Sequence, residues 1–124
     1  MPTTDYRRKR GAQGEQLAVN HLRRQGYQIV ERNFSCKLGE VDIIAVKDEY
    51  LVFCEVKSRM SADFGGAIAA VNYNKQQKLV RLANYYYHFR GEHSKKTCRF
   101  DVIAVQYHAD GKPEIVHLEN AFGW

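Results

Sequence analysis

The pattern of hydrophobic and polar positions along the chain changes period several times, and each change marks a predicted element. In residues 14–25 the apolar side chains recur on one helical face, and Gly26 supplies a stop. A longer stretch with helical spacing covers residues 74–89. Five runs that alternate or stay apolar over a few residues predict strands, at 27–34, 40–47, 50–57, 98–107 and 113–118.

The order of these elements predicts the fold class. A helix is followed by a three-strand meander, a second helix and a further strand. The polar sequence KDE at 47–49 is short enough for a hairpin connection, and the long helix can serve as the crossover that a parallel strand pair needs. We therefore expect an α/β domain in which helices flank a mixed β-sheet.

Charge divides the chain into two parts. The 124 residues carry a formal net charge of +5, and residues 7–10 less Asp5 supply 4 − 1 = +3 of it, which leaves +2 for the rest. We expect a flexible basic arm over residues 1–10 and a single domain over 11–124. A basic arm gains affinity for nucleic acid by releasing counterions from phosphate. The alternative is a solvated tail.

Composition excludes several protein classes. No apolar run approaches the ~18 residues of a membrane helix, and no apolar segment follows the basic N-terminus as it would in a secretory signal. We expect a cytoplasmic protein without a membrane partner. The three cysteines are scattered and lack the spacing of a disulfide framework or a zinc site.

Two predicted strands carry acids where aliphatic side chains would pack better. Asp42 precedes the run IIAV, and Glu55 lies inside LVFCEVK with Lys57 two positions later. Residues i and i+2 of a strand face the same side, so Glu55 and Lys57 project together. A hairpin folded at Asp48 pairs residue 42 with a position near 54 or 55, which places Asp42 and Glu55 about 5–8 Å apart.

Carboxylates this close repel each other, and burial strengthens the repulsion. Lys57 can compensate, and so can a divalent cation; oxygen ligands of this kind suit Mg²⁺ or Mn²⁺. Glu15 falls on the apolar stripe of the first helix, either as a third acid of the site or as an acid favoured by the helix dipole. Lys75 similarly begins the apolar stripe of the second helix, where a cation is unfavourable unless an anion is present.

These residues resemble a known active-site pattern. The sequence GEVDIIAV followed by LVFCEVKSR is similar to the motif of the PD-(D/E)xK nuclease superfamily, with Asp42 as the first acid and Glu55 and Lys57 as the acid-x-lysine element. Glu15 resembles the helix acid of archaeal Holliday junction resolvases. Nearly the whole chain resembles the bacterial YraN family, through segments such as GEQLAVNHLRRQGY, ERNF and RFDVIAV. The resemblance implies a restriction-endonuclease-like fold and supplies no agreed reaction.

The resemblance of the acids and Lys57 to the nuclease motif implies metal-dependent hydrolysis of phosphodiester bonds in nucleic acid, with DNA favoured over RNA and structured or branched DNA as a candidate substrate. Asp42 and Glu55 would hold Mg²⁺ or Mn²⁺, with Glu15 and the Val56 carbonyl as further ligands, and Lys57 would act on the water or the phosphate. The candidate phosphate contacts are Arg7, Arg8, Lys9, Arg10, Arg59, Lys75 and Gln76. Two alternatives are a nucleic-acid-binding module without turnover and a protein-interaction domain.

Two further features remain outside this pattern. Asp101 opens a predicted strand, and we interpret it as a structural acid that pairs with Arg99 or a sheet neighbour. The tyrosines at 85–87 span more than one helix face. Tyr86 is predicted to lie in the core, whereas the other two could stack on bases or mediate a homodimer.

Overall fold

In the part of the chain that the structure describes, a five-stranded mixed sheet has one helix on each face. The computed structural model describes the backbone of residues 2–59, 71–90 and 95–123, and the side chains of 11–58, 71–89 and 95–123. The elements in chain order are α1 (Pro2–Arg24), β1 (Gln28–Cys36), β2 (Gly39–Lys47), β3 (Tyr50–Arg59), α2 (Tyr73–Arg90), β4 (Thr97–Tyr107) and β5 (Pro113–Phe122). No helix in these ranges combines the length and the apolar character that crossing a bilayer requires.

The strands lie in the sheet in the order of the chain, β1-β2-β3-β4-β5. All neighbours are antiparallel except β3 and β4, which run parallel through a ladder from Tyr50↔Thr97 to Arg59↔Gln106. The segment between this parallel pair contains α2, so the predicted crossover and the predicted mixed α/β sheet are confirmed.

The β2–β3 hairpin has the predicted register. Lys47 pairs with Tyr50, and the ladder continues to Ile43↔Cys54, so the paired residue numbers sum to 97 throughout. Asp48 occupies the left-handed region with φ 52°, which Asp tolerates better than most residues, in a two-residue connection. The register brings residues 42 and 55 opposite each other one step beyond the last pair.

Each sheet face has its own apolar cluster. On one face the α2 residues Leu79, Leu82 and Ala83 pack against Phe53 and Phe100, with Tyr86 buried among them as predicted. On the other face Ala18, Val19 and Leu22 of α1 pack against Ile43, Ala45 and Ile103. The two clusters explain why β2, β3 and β4 are almost continuously apolar, since both of their faces are covered.

The first helix ends where the sequence predicts, but it begins much earlier in the chain than predicted. Gly26 adopts φ 91°, and the amides of Tyr27 and Gly26 donate to the carbonyls of Leu22 and Arg23, which is a Schellman stop. The predicted start at residue 14 was wrong, because the helical backbone reaches Pro2. The backbone of residues 2–10 therefore continues α1, and the predicted flexibility of this basic segment stays a prediction. Pro is favoured at a first helical position, and the Arg and Lys residues that follow have good helix propensity.

Candidate active site

Asp42 lies where β2 and β3 separate. The paired ladder ends at Ile43↔Cys54, and beyond it Oδ2 of Asp42 accepts a hydrogen bond of 2.8 Å from the backbone amide of Val56. The carboxylate thus replaces a backbone acceptor that the ladder would otherwise supply, and its position is fixed against β3. Burial raises the pKa of Asp42 and the bond from Val56 opposes that shift.

Glu55 is the most deeply buried acid of the pair. The residue is 4% exposed, and its Oε1 is buried with no hydrogen-bond partner in the part of the chain that the structure describes. Burial, followed by the charge of Asp42, raises the pKa of Glu55 to about 7. The charge of Asp42 therefore increases the cost of ionising Glu55, and near neutral pH Glu55 is divided between its two protonation states.

Two lysines supply positive charge to the acids from different elements. Nζ of Lys75, in the first turn of α2, lies 3.8 Å from Oε2 of Glu55. Lys57 follows Glu55 by two positions on β3, and the charges of both lysines lower the pKa values of Asp42 and Glu55. The Glu55 carboxylate thus supplies a negative charge beside Lys75 within the protein, and the predicted contact of Lys75 with phosphate stays a prediction.

A capped helix end holds Lys75 in place. The backbone amide of Lys75 donates to Oδ1 of Asn72 at 3.0 Å, which satisfies one of the free amides of the first turn. Gln76 donates from Nε2 to the Val71 carbonyl at 2.8 Å, and its predicted contact with phosphate stays a prediction. The Gln76 bond therefore connects the first turn of α2 to the residue Val71 that precedes the helix. Lys75 is the charged group of this turn that faces the acids.

Glu15 approaches the site from α1. Gly14 is buried where α1 meets β3, and a Cβ there would clash with the Ser58 hydroxyl, so the glycine permits the close approach. The charge of Glu15 raises the pKa of Asp42, which places the two acids within electrostatic range. However, Oε1 of Glu15 accepts hydrogen bonds of 3.1 Å from Arg32 Nε and from Asn33 Nδ2.

The β1 pair Arg32 and Asn33 was missed by the sequence analysis. Arg32 also donates to Oε1 of Gln16, so it bridges two successive positions of α1. Asn33 has φ 53°, a left-handed conformation in the middle of a strand. Two adjacent polar residues inside the predicted strand were the available signal, but their partner lies 17 and 18 residues away and could not be identified from spacing.

The capacity of the site for a metal ion rests on Asp42 and Glu55. Among the described residues no three His, Cys, Asp or Glu side chains are grouped so that they could hold an ion. Two carboxylates nevertheless fit Mg²⁺, which keeps several waters and is bound through one or two protein acids together with substrate phosphate. The buried Oε1 of Glu55, which has no donor in the described chain, is the oxygen best suited to such an ion.

Several predicted contacts lie outside the described side chains. These are Arg59 at the end of β3 and the basic residues Arg7, Arg8, Lys9 and Arg10. The backbone of Arg59 continues the strand that carries Glu55 and Lys57, and it pairs with Gln106. Their proposed contacts with phosphate remain predictions.

A second buried polar cluster surrounds Asp101, and it has a structural arrangement. The carboxylate accepts two hydrogen bonds from Arg99, at 3.0 and 2.9 Å, so the predicted pairing is confirmed. Nε2 of His117 lies 2.7 Å from Oδ2, and the backbone amide of Asn120 donates to Oδ1 at 3.0 Å. These bonds outweigh burial and lower the pKa of Asp101. All partners come from β4 and the adjacent β5, so the cluster fastens the last strand to the sheet.

Comparison with known proteins gives one consistent result. The model of a family described as "Uncharacterised protein family UPF0102" matches residues 14–105. A UPF0102 protein of Clostridium perfringens, CPE1705, is 43% identical over 118 residues, covering 94% of this chain and 96% of the relative. UPF0102 proteins of Alkaliphilus oremlandii and Legionella pneumophila strain Corby are 46% and 41% identical over 116 and 115 residues, covering 93% and 92% of this chain and 98% and 94% of those relatives.

Proposed function

We propose that this chain, which belongs to the uncharacterised protein family UPF0102, is a divalent-metal-dependent nuclease that hydrolyses phosphodiester bonds in nucleic acid. The observation that carries the proposal is the pair of the half-buried Asp42 and the buried Glu55, placed together at the separation of β2 and β3 beside Lys57 and Lys75. Pairs of buried acids whose ionisation is opposed by burial and by each other are typical of functional sites.

The arrangement also supports a relationship to the PD-(D/E)xK nucleases and their restriction-endonuclease-like fold. The first acid and the acid-x-lysine element come from neighbouring antiparallel strands of a mixed sheet, as the motif requires. A helix packs on each face of that sheet. The fold by itself does not determine the reaction, so the residues of the site are what support hydrolysis.

Each residue of the site would have a distinct role in hydrolysis. Asp42 and Glu55 would hold Mg²⁺ or Mn²⁺, with the Val56 carbonyl as a further ligand, and such an ion polarises a phosphate and lowers the pKa of a bound water. The Val56 amide fixes the orientation of Asp42 before substrate arrives. Lys57 would orient the attacking water or offset negative charge as the phosphate reacts.

Glu15 would act on the cation site indirectly. Its hydrogen bonds from Arg32 and Asn33 would have to be broken or shared for it to ligate an ion directly. Its negative charge beside Asp42 increases the affinity of the site for a cation in either case. We therefore assign Glu15 to electrostatic support of the site, with ligation through a water as the contact it could make without losing those bonds.

A nucleic-acid-binding module without turnover is the second candidate. The absence of a third acid grouped with Asp42 and Glu55 among the described residues favours it, since some metal-dependent hydrolases use larger sets of ligands. It predicts salt-sensitive binding in the absence of cleavage. A protein-interaction domain predicts neither binding nor cleavage.

The decisive experiment incubates the protein with branched, nicked and single-stranded DNA and RNA in Mg²⁺, in Mn²⁺ and in EDTA. We expect divalent-dependent cleavage, with DNA cut in preference to RNA, and loss of cleavage in Lys57→Ala. Lys112→Ala is a matched control, because Lys112 is an exposed lysine in the turn before β5. Binding without cleavage by the wild type in every condition would support the binding module, and cleavage retained by Lys57→Ala would refute the assigned site.

A further inference from the structure

The exposed side of α2 carries an aromatic stripe. Tyr73 is 71% exposed, Tyr85 40% and Phe89 74%, which makes them the three exposed large aromatic residues of the described chain. Together with Gln77 and Arg81 they form a series spaced four residues apart, so the stripe turns by about 40° around the helix axis at each step and by about 160° from Tyr73 to Phe89. From Tyr73 to Phe89 it extends for about 24 Å at the rise of an α-helix.

Rings on this stripe face solvent. Tyr85 and Phe89 lie against each other with centroids 4.8 Å apart and planes inclined by 32°, and they leave their outer surfaces uncovered. The buried residues of α2, such as Leu79 and Leu82, already fill the core. Packing within the protein therefore does not explain the three exposed aromatic residues.

Charge on the same helix identifies the kind of partner. The 18 residues of α2 contain four Lys and Arg residues and no Asp or Glu. Arg81 is an exposed member of the stripe, and Lys78 is exposed beside it, three residues before Arg81. A second copy of the chain docked by twofold symmetry would bring like charges together and is disfavoured. A polyanion that also offers flat apolar surfaces satisfies both the charges and the rings.

We propose that the α2 stripe binds single-stranded nucleic acid, with bases stacked on Tyr73, Tyr85 and Phe89 and with Lys78 and Arg81 on the phosphates. Unpaired bases present the faces that such rings can stack on, whereas the stacked bases of a duplex do not. The stripe begins in the first turn of α2, where Lys75 lies 3.8 Å from Glu55. A strand that follows the stripe is therefore led toward the candidate active site.

The position of the stripe indicates the class of substrate, and this inference rests on the proposed function. A nuclease whose active site adjoins a surface that binds single strands acts on nucleic acid with an unpaired segment, such as a flap, a gap or a splayed branch. The binding itself does not depend on catalysis, so it is measured separately.

The experiment measures affinity by fluorescence anisotropy in EDTA, with a labelled 20-nucleotide oligothymidine and a labelled 20-base-pair duplex as probes. Stacking of one base is worth about 1–3 kcal/mol, so Phe89→Ala and Tyr85→Ala should each weaken single-strand binding by about 5- to 150-fold. The conservative variants Phe89→Tyr and Tyr85→Phe should retain most of the affinity. Leu38→Ala removes an exposed hydrophobic side chain elsewhere and should bind like the wild type.

The outcomes separate the possibilities. Unchanged single-strand affinity in Phe89→Ala and Tyr85→Ala, or an equal loss on the duplex, would overturn the proposal. Sedimentation at the assay concentration tests the other occupant, because a wild-type dimer that Phe89→Ala converts to a monomer would assign the stripe to self-association. If the aromatic variants lose binding while the wild type cuts no substrate in Mg²⁺ or Mn²⁺, the stripe is supported and the nuclease proposal fails.

Discussion

The backbone amide of Val56 donates a hydrogen bond to Oδ2 of Asp42 across the point where β2 and β3 separate. The bond gives Asp42 two properties that mutation can separate, namely a negative charge close to Glu55 and an acceptor for a part-buried amide. An Asn side chain keeps the acceptor and removes the charge. An Ala side chain removes both.

The stability of Asp42 variants should therefore follow the acceptor. In EDTA we expect Asp42→Asn to melt at or above the wild-type temperature, because it relieves the repulsion with Glu55 and keeps the bond to Val56. Asp42→Ala should lose about 1–3 kcal/mol, since it leaves the Val56 amide without a partner. Calorimetry of the three proteins checks the order. If the Asn variant is as unstable as the Ala variant, the charge of Asp42 stabilises the fold.

Metal should change that order. A ligand that binds only the native state stabilises it, by about 2.7 kcal/mol when its concentration is 100 times Kd. We expect Mg²⁺ or Mn²⁺, titrated to tens of millimolar, to raise the melting temperature of the wild type by several degrees and that of Asp42→Asn much less. Equal gains in both proteins would place the bound metal elsewhere.

Glu55 should make the protein less stable as pH rises. Its pKa is 4.5 in the reference state and about 7 in the folded protein, so between these values the native state binds more protons than the unfolded state. The free energy of unfolding then falls with increasing pH across that window, by up to roughly 3 kcal/mol for one group. Denaturant titrations of the wild type and of Glu55→Gln in EDTA measure the difference. The Gln variant should lack this component, and identical pH profiles would contradict it.

Asp101 should have the opposite dependence. Its pKa is lowered in the folded state, so its contribution to stability is present above the unfolded pKa and is lost as the solution becomes more acidic. Asp101→Asn leaves Arg99 buried without its carboxylate and should cost about 3–5 kcal/mol. The control is Glu119→Gln, because Glu119 is also near Arg99, at 4.0 Å, but its side chain is 60% exposed. That change should cost about 1 kcal/mol or less.

The basic residues 7–10 should contribute to binding through charge alone. We expect replacement of Arg7, Arg8, Lys9 and Arg10 by Gln, which retains helix propensity, to weaken nucleic-acid binding for every sequence tested. The slope of log affinity against log salt should fall by up to about 3.6 on duplex DNA if all four residues contact phosphate. An unchanged slope would show that these residues are solvated and make no contact.

The parts of the fold that the sequence predicted correctly are those determined by residues close together in the chain. The β2–β3 register was predicted to within one residue by folding the short KDE connection at Asp48, and the structure has residue 42 opposite 55. The end of α1 followed from Gly26. The start of α1 was wrong because a polar, charged stretch has no apolar period to identify a helix, while its intrinsic propensity remains adequate.

The site was predicted in part for the same reason. Asp42 and Glu55 lie on one hairpin, so spacing was sufficient to place them together. The contact of Lys75 with Glu55 depends on where α2 docks across the sheet, and the bonds from Arg32 and Asn33 to Glu15 depend on where α1 docks. Such tertiary distances are not encoded in any local pattern. The exposed rings of Tyr73 and Phe89 were likewise missed, since exposure is a property of the packed helix.

The parallel pairing of β3 with β4 has a consequence for the order of folding. The β2–β3 hairpin that carries both acids closes through a two-residue connection and can form early, because little chain entropy is lost. The β3–β4 ladder joins residues 47 apart along the chain, from Tyr50↔Thr97 to Arg59↔Gln106, and forms only after the intervening chain, α2 included, has been brought back across the sheet. Folding should therefore be limited by this closure, and Lys75 reaches Glu55 only as it is completed.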